Sequence, residues 1–308
     1  MKNILYKWQE SIIKKYIYCT KGKSYTYAYS YWPYIKYRIN SNSSADILFK
    51  NRLLVKSQPF TNLHSELHIE KCYILGSGPS IKKQDLSCLR DKPVITLNGS
   101  ITAAKQYNLK PILHCIIDAT FICNKFSILQ NNLPPQVPLG LSPSVLKALV
   151  WYVPELLKNH PVYLLLNPLE IFPYPSKTVK ELNTDYFITN DNKNSAFSIF
   201  PQAGLFDGGT VMSIAIQLSY YMGFKKTFLL GLDISNANQP RFYEKQGQQL
   251  KCGLLDDYEN KILPFMTLTA SIFNKTGRLI YNCSPVSKLP YSIIPYAEFP
   301  VLGSEKNV

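Results

Sequence analysis

The first sixty or so residues carry no clear hydrophobic period, but from residue 69 onward the pattern sharpens. Short apolar runs of four to six residues end in glycine, asparagine, aspartate or serine and are separated by polar or helical stretches. The runs at 71–75, 94–97, 112–117, 162–166, 227–230 and 279–281 are predicted strands. Most are continuously apolar rather than alternating, as expected for a parallel sheet covered on both faces. Residues 210–222 have the clearest helical pattern, and Gly223 stands at their C-terminal end, where a left-handed cap is common. Strand–helix alternation over this length predicts an α/β fold: a doubly wound, mostly parallel Rossmann-like sheet with an N-terminal aromatic and basic extension. The expected division is an N-terminal segment and linker at 1–62, a nucleotide-binding domain at 63–300 and a tail at 301–308.

In such a sheet, ligands bind beyond the carboxyl ends of the strands. The first predicted strand runs into Gly76-Ser77-Gly78-Pro79-Ser80, with a polar helix expected to follow. Glycines let a backbone approach a phosphate closely, and a helix start supplies N–H donors. Ser77 and Ser80 add hydroxyls. Many such turns need glycine for geometry alone, so the adjacency to the first core strand is what points to a phosphate or nucleotide. A dinucleotide enzyme is disfavoured: the third glycine of its fingerprint is Ile81, and the second strand ends in Asn98-Gly99-Ser100 rather than in a ribose-binding acid. Asn98 offers a donor and an acceptor, suited to a pyrimidine edge or a ribose, and equally a residue type common in plain turns.

Two acids follow apolar strands, Asp118 after Ile116-Ile117 and Asp233 after Leu229-Leu230-Gly231-Leu232. Each is a candidate catalytic base in the cleft or, alternatively, a helix cap. A second glycine turn, Gly204 to Thr210, would bring Gly209, Thr210 and another helix start to the same cleft. Arg241, Tyr243 and Ser284 fall in loops after strands; Arg241 and Tyr243 can meet a phosphate or sugar carboxylate, or pair with nearby Glu244 or Asp256.

Composition narrows the classes. Charged residues are 18% and hydrophobic residues 46%, ordinary for a folded protein, whereas a formal net charge of +14 favours phosphate-bearing partners. The seven cysteines are scattered without a Cys-x-x-Cys pair, so no zinc site and no disulfide framework is expected, and a reducing compartment fits. There is no Asp-x-Asp, no Walker loop, no Gly-x-Ser-x-Gly elbow and no His-Glu-x-x-His helix; none of the four histidines has a catalytic setting. No signal peptide and no run of about 18 apolar residues is present, so a cytoplasmic protein, peripheral at most, is expected. Residues 1–40 hold nine tyrosines, Trp8, Trp32 and eight Lys/Arg against the single acid Glu10. That mixture suits an anionic membrane surface, single-stranded nucleic acid, or an aromatic strap packed on the main domain. The stretch from 40 to 62 reads as a linker.

The motifs Tyr73-Ile74-Leu75-Gly76-Ser77-Gly78-Pro79-Ser80, Leu97-Asn98-Gly99-Ser100, Ile117-Asp118-Ala119-Thr120-Phe121 and Gly231-Leu232-Asp233-Ile234 together resemble the WaaZ (RfaZ) type of lipopolysaccharide core biosynthesis protein. The resemblance continues through Arg241-Phe242-Tyr243, Lys261-Ile262-Leu263-Pro264-Phe265, Ile280-Tyr281-Asn282-Cys283-Ser284-Pro285 and Ile293-Ile294-Pro295-Tyr296, and covers about residues 70–300. More distantly, the Gly-x-Gly-Pro-Ser turn and the later Gly-Leu-Asp are similar to the bacterial sialyltransferases of glycosyltransferase family 42. The resemblance implies a sialyltransferase-like fold and transfer of 3-deoxy-manno-octulosonic acid (Kdo), or a related sugar, from a CMP-activated donor to a phosphorylated lipopolysaccharide core acceptor at the cytosolic face of the inner membrane. It implies no cofactor and no metal, since a CMP leaving group bears one phosphate and needs less cationic help than a diphosphate. Family 42 enzymes use a histidine base after the Gly-x-Asp strand; residues 234–278 here contain no histidine. Asp118 is therefore the first choice of base and Asp233 the second. A sialyltransferase or another surface-polysaccharide sugar transferase, a nucleic-acid-binding protein, or a non-catalytic scaffold are the alternatives.

Overall fold

A computed structural model describes residues 2–31, 33–63, 70–183, 185–247, 249 and 252–300. Trp32, His64, His68 and the tail at 301–308 lie outside the described residues. The strands are β1 (Ile35–Ile39), β2 (Ala45–Phe49), β3 (Arg52–Ser57), β4 (Lys71–Leu75), β5 (Val94–Leu97), β6 (Leu113–Ile116), β7 (Leu139–Leu141), β8 (Val162–Leu164), β9 (Phe187–Thr189), β10 (Ala196–Ser198), β11 (Lys226–Leu230) and β12 (Leu279–Asn282). The helices are α1 (Lys2–Lys21), α2 (Ile101–Gln106), α3 (Ala119–Asn132), α4 (Pro143–Tyr152), α5 (Leu156–Asn159), α6 (Val211–Tyr221), α7 (Leu254–Asp257) and α8 (Leu263–Lys275).

Ten strands form one sheet in the order β1-β2-β3-β8-β7-β6-β5-β4-β11-β12. From β3 to β12 every neighbouring pair is parallel, and only β1-β2-β3 is antiparallel. All six predicted strands are present, and the predicted helix is α6, with Thr210 as its N-cap and Gly223 just beyond it at φ +90°. The continuous apolar runs are explained by burial on both faces. Leu75 and Ile116 pack towards Ile101, Ile122 and Leu149 on α2, α3 and α4. Their neighbours Ile74 and Cys115 face Ile214, Leu218, Phe265 and Phe273 on α6 and α8. The fold is thus α/β and doubly wound.

The chain lays down β4, β5, β6, β7 and β8 moving one way across the sheet, then returns to place β11 and β12 on the other side of β4. The order therefore reverses between β4 and β11. A crevice opens at such a point because the loops leaving the two strands turn to opposite faces.

Two readings of the N-terminal third are corrected. Residues 40–62 are no linker: β2 and β3 pair with each other and extend the main sheet through Ser57 beside Val162. Lys50 and Asn51 both have positive φ, 50° and 63°, which makes the β2–β3 connection a tight two-residue hairpin without the usual glycine. Of the alternatives for the first forty residues, the structure shows the packed strap. Helix α1 packs Tyr6 against Trp151 and Tyr152, and its only acid, Glu10, meets the buried Lys147 ammonium at 2.6 Å. Burial lowers the Lys147 pKa, opposed by Glu10. Finally, Gly76–Ser80 leads not into a polar α-helix but into a five-residue 3₁₀ turn, Pro79–Lys83.

Candidate active site

The turns after β4 and β11 are fastened together. Gly76 N–H donates to the Leu230 carbonyl at 2.8 Å and Gly78 N–H to the Gly231 carbonyl at 3.1 Å. This approach requires glycine. A Cβ at Gly76 would lie 2.9 Å from the Gly231 carbonyl, and one at Gly78 would lie 2.5 Å from the Asp233 carboxyl. Gly231 itself sits at φ +69°, which a side chain would strain. Asp233 closes the join by accepting from Ser80 N at 2.5 Å and from Ser80 Oγ at 2.7 Å. Burial pushes its carboxyl above the ordinary range, while the bonds from Ser80 and Ser284 pull it down.

That arrangement engages Asp233 and Ser80 with each other. Asp233 is buried and acts as an internal anion at the start of the 3₁₀ turn, using donors that were expected to hold a ligand phosphate. It positions the turn. Ser284 is likewise fully buried, accepting from Leu232 N at 2.7 Å, and fixes the β11 loop from behind. Ser100 is fully buried too, accepting from Leu97 N and donating to the Leu75 carbonyl, so it ties β4 to β5 instead of facing a nucleoside. Tyr243 packs flat on Gly99, where a Cβ would fall 2.1 Å from its ring, and bonds to Ser77. Burial raises its phenol pKa. Tyr243 and Gly99 therefore support the wall and do not line the cavity.

Asp233 and the remaining candidates line one cavity of about 350 Å³ at the reversal point, within the range of small-ligand sites. Gly76, Ser77, Gly78 and Pro79 form one wall; Asn98 and Asp118, at the ends of β5 and β6, form the next; Gly209, Thr210 and the first residues of α6 form the third; Arg241 lies on the fourth. Asn98 sits at φ +48°, and its amide oxygen has no hydrogen-bond partner. Such an orphaned acceptor is costly unless a ligand donor meets it. Asp118 is exposed and caps α3 with one oxygen, accepting from Thr120 N at 2.7 Å. The cap reading holds, and a carboxylate has a second oxygen to present to the cavity that Asp118 lines. Thr210 caps α6 by accepting from Met212 N, which aims the start of an eleven-residue helix at the cavity. Arg241 bonds through Nη1 to Glu244, whose side chain is fully buried, so the guanidinium is held in a fixed place on the wall.

Several cavity residues escaped the sequence reading. Asp257 and Lys261 form a 2.9 Å ion pair at the rim, at i and i+4 spacing that was visible in the sequence. Lys261 lies in a π-helical turn, residues 258–262, a distortion frequent at functional sites. Asp207, in the glycine turn before Thr210, also lines the cavity. Neither histidine among the described residues lines it: His114 is fully buried against Thr96 with its pKa lowered to about 3 by burial, and His160 bonds to the Val137 carbonyl.

A family model described as 6-hydroxymethylpterin diphosphokinase MptE-like matches residues 48–239, more than half of the chain. The chain belongs to the MptE-like family. The matched region contains the reversal point and three of the four cavity walls but ends before Arg241 and Lys261. Relatives of this MptE-like chain include a probable 3-deoxy-manno-octulosonic acid transferase of Salmonella typhimurium, 27% identical over 237 residues, covering 74% of this chain and 86% of the relative. Another protein of the same name, from Escherichia coli K12, is 23% identical over 280 residues, covering 84% and 93%. These bear out the resemblance read in the motifs. Among solved structures, the MAf glycosyltransferase of Magnetospirillum magneticum AMB-1 aligns over 73% of this chain with a TM-score of 0.44 and 13% identity; the chain spans about 33% of that protein's length. The sialyltransferase CstII of Campylobacter jejuni, in complex with a CMP-3FNeuAc substrate analogue, aligns over 76% of this chain and 90% of its own, with a TM-score of 0.39 and 14% identity.

The loop junction can be tested directly. Gly78→Ala forces a methyl into the Asp233 carboxyl, and is expected to lower stability by about 2 kcal/mol, as overpacked sites do. Ser77→Ala, on the cavity side, is expected to cost well under half as much. Urea unfolding of the two variants measures this, and equal midpoints would mean the junction is not tightly packed.

Proposed function

We propose that this protein is a glycosyltransferase that moves Kdo, or a related keto-deoxy sugar, from a CMP-activated donor to a lipopolysaccharide core acceptor. The single observation that carries the reading is the convergence of Asn98, Asp118, the α6 start and Arg241 on one nucleotide-sized cavity at the sheet's reversal point. The names of the two curated relatives support the choice of sugar.

In this reading the cytosine edge meets the unpartnered Asn98 oxygen through its amino group. The phosphate lies between the α6 start and Arg241, because the donors of Ser80 are already engaged by Asp233. The acceptor hydroxyl oxygen attacks the anomeric carbon, the bond from that carbon to the phosphate oxygen breaks with its electron pair going to CMP, and the hydroxyl proton passes to Asp118. Negative charge develops on the leaving phosphate, where a helix start and a fixed guanidinium are most effective. Asp233, buried and bonded to Ser80, keeps the turn in shape and is not the base. With Arg241 and Lys261 on the cavity wall, the transfer is proposed to need no metal ion.

Helix α1 extends the reading to the membrane. Its inward face holds Tyr6, Ile13 and Ile17, while Ile4, Leu5, Trp8, Ile12 and Tyr16 form a second apolar arc on the opposite side. Ile4 is 74% exposed and Trp8 67%. Glu10 is turned inward to Lys147, so the outward face carries lysines and no acid. Apolar and aromatic side chains among lysines fit the headgroup region of an anionic bilayer, which supports the reading that the acceptor is lipid-linked. Among the described residues no helix is long and apolar enough to cross a membrane.

Incubation with CMP-Kdo, other CMP- and UDP-sugars, and ATP with 6-hydroxymethylpterin separates the donor classes. Release of CMP from CMP-Kdo is expected, unchanged by EDTA; Asp118→Asn is expected to lower turnover at least 100-fold while CMP affinity changes less than threefold. Near-normal turnover in that variant removes Asp118 from the mechanism, and diphosphate transfer to the pterin in place of CMP release removes the glycosyltransferase reading. For the membrane face, co-sedimentation with phosphatidylglycerol vesicles is expected to exceed that with phosphatidylcholine vesicles and to fall at least tenfold in a Trp8→Ser, Ile12→Ser double variant. Binding that ignores both lipid charge and the double substitution would contradict it.

A further inference from the structure

A second cavity, of about 290 Å³, adjoins the first. One wall is Tyr27, Tyr29 and Tyr31 from the N-terminal segment, another is Asn167 and Glu170 from the loop after β8, and its floor is the start of α4. Two residues, Ile117 and Asp207, line both cavities. Ile117 immediately precedes Asp118, so the boundary between the cavities lies beside the carboxylate already placed at the reacting end of the donor.

The aromatic wall is built and held. The Tyr27 hydroxyl donates to the Tyr174 carbonyl at 2.5 Å, and Tyr31 stacks on Phe172 with ring centroids 5.4 Å apart. The Tyr29 carbonyl accepts from the buried Lys147 ammonium at 2.7 Å, so the Glu10–Lys147 pair that docks α1 also fixes this wall. Opposite it, Glu170 is oriented by a hydrogen bond from the Asn167 side chain. Burial and the nearby Asp207 charge hold the Glu170 carboxyl above its ordinary range, countered by Asn167 and Lys261. Flat aromatic faces beside a fixed carboxyl are what a sugar ring needs: its C–H face packs on the rings and its hydroxyls donate to the carboxyl.

We propose that the second cavity is the acceptor site, in which the half-buried Tyr29, backed by the buried Tyr27 and Tyr31, covers one face of a polyhydroxylated ring and Glu170 holds its hydroxyls. The attacking hydroxyl then passes Ile117 into the first cavity, next to Asp118. This inference rests on the glycosyltransferase reading and gives the N-terminal segment a direct part in substrate recognition. Tyr27, Tyr29 and Tyr31 all precede residue 48, where the family match begins, so the acceptor wall is supplied from outside the matched region.

The test uses the full chain saturated with CMP and two probes, a Kdo-terminated oligosaccharide and a neutral hexose oligosaccharide, followed by saturation-transfer NMR. Ring-proton saturation is expected for at least one probe, identifying whether an acidic or a neutral sugar is received. Glu170→Gln and Tyr29→Ala are each expected to reduce that signal at least fivefold, and in transfer assays to raise the acceptor KM at least tenfold with kcat changed far less. CMP affinity, measured by calorimetry, is expected to stay within twofold in both variants. Sugar signals that persist undiminished in both variants, or absence of any signal from CMP-saturated wild-type protein, overturn the acceptor assignment while leaving the donor site intact. Failure of the wild-type chain to bind CMP at all is a different result: it overturns the donor reading, and the acceptor assignment falls with it.

Discussion

The candidate site depends on how closely two loops can approach where the sheet changes direction. Three glycines, at 76, 78 and 231, allow the backbones leaving β4 and β11 to touch, and the Asp233 carboxylate locks them by taking both donors of Ser80. A larger residue at Gly78 would collide with that carboxylate and open the join. The other walls of the cavity are then fixed relative to it. Ser77 accepts from the backbone N–H of Phe242, which draws the 241–243 segment inward, and Tyr243 covers Gly99 so that the β5 turn is pressed into place.

This junction also redistributes the electrostatics. A glycine-rich turn that opens a helix ordinarily offers its donors to a ligand's phosphate. Here the Leu230 and Gly231 carbonyls take the Gly76 and Gly78 donors, and the Asp233 carboxylate takes those of Ser80. Positive potential for a leaving phosphate is left to the α6 start, to Arg241 anchored on the buried Glu244, and to Lys261 at the rim. The arrangement keeps the turn rigid without a bound ligand, at the cost of holding an acid in a buried place where its charged form is disfavoured. Farther out, the Glu10–Lys147 contact couples the N-terminal helix to α4 and, through the Tyr29 carbonyl, to the tyrosine wall of the second cavity.

Much of the fold was legible in the sequence because the core strands are buried on both faces and so read as uninterrupted apolar runs. The N-terminal strands were not, for two reasons. Their exposed side mixes charged and apolar residues, and their hairpin uses Lys50-Asn51 in positive-φ geometry rather than a glycine pair. Strand β7 escaped because Leu139-Gly140-Leu141 is short and its glycine reads as a turn, although Gly140 is packed against Cys115 and Leu165. In the site, the position of each residue at a strand end was readable and its orientation was not. Ser100, Ser284 and Tyr243 occupy the expected loops yet face the interior. Asp118 and Asp233 look alike in sequence, each an acid just after an apolar strand, but one is exposed at the cavity and the other buried in the junction. Only tertiary packing separates them.

The most direct test of the central claim is a crystal structure of the protein soaked with CMP. Density for the cytosine amino group within hydrogen-bond distance of the Asn98 amide oxygen is expected, with the phosphate between Arg241 and the first turn of α6, and with the Asp233–Ser80 bonds unbroken. A phosphate seated on Ser80 with Asp233 displaced, or a nucleotide bound elsewhere with the crevice still empty, would contradict the account.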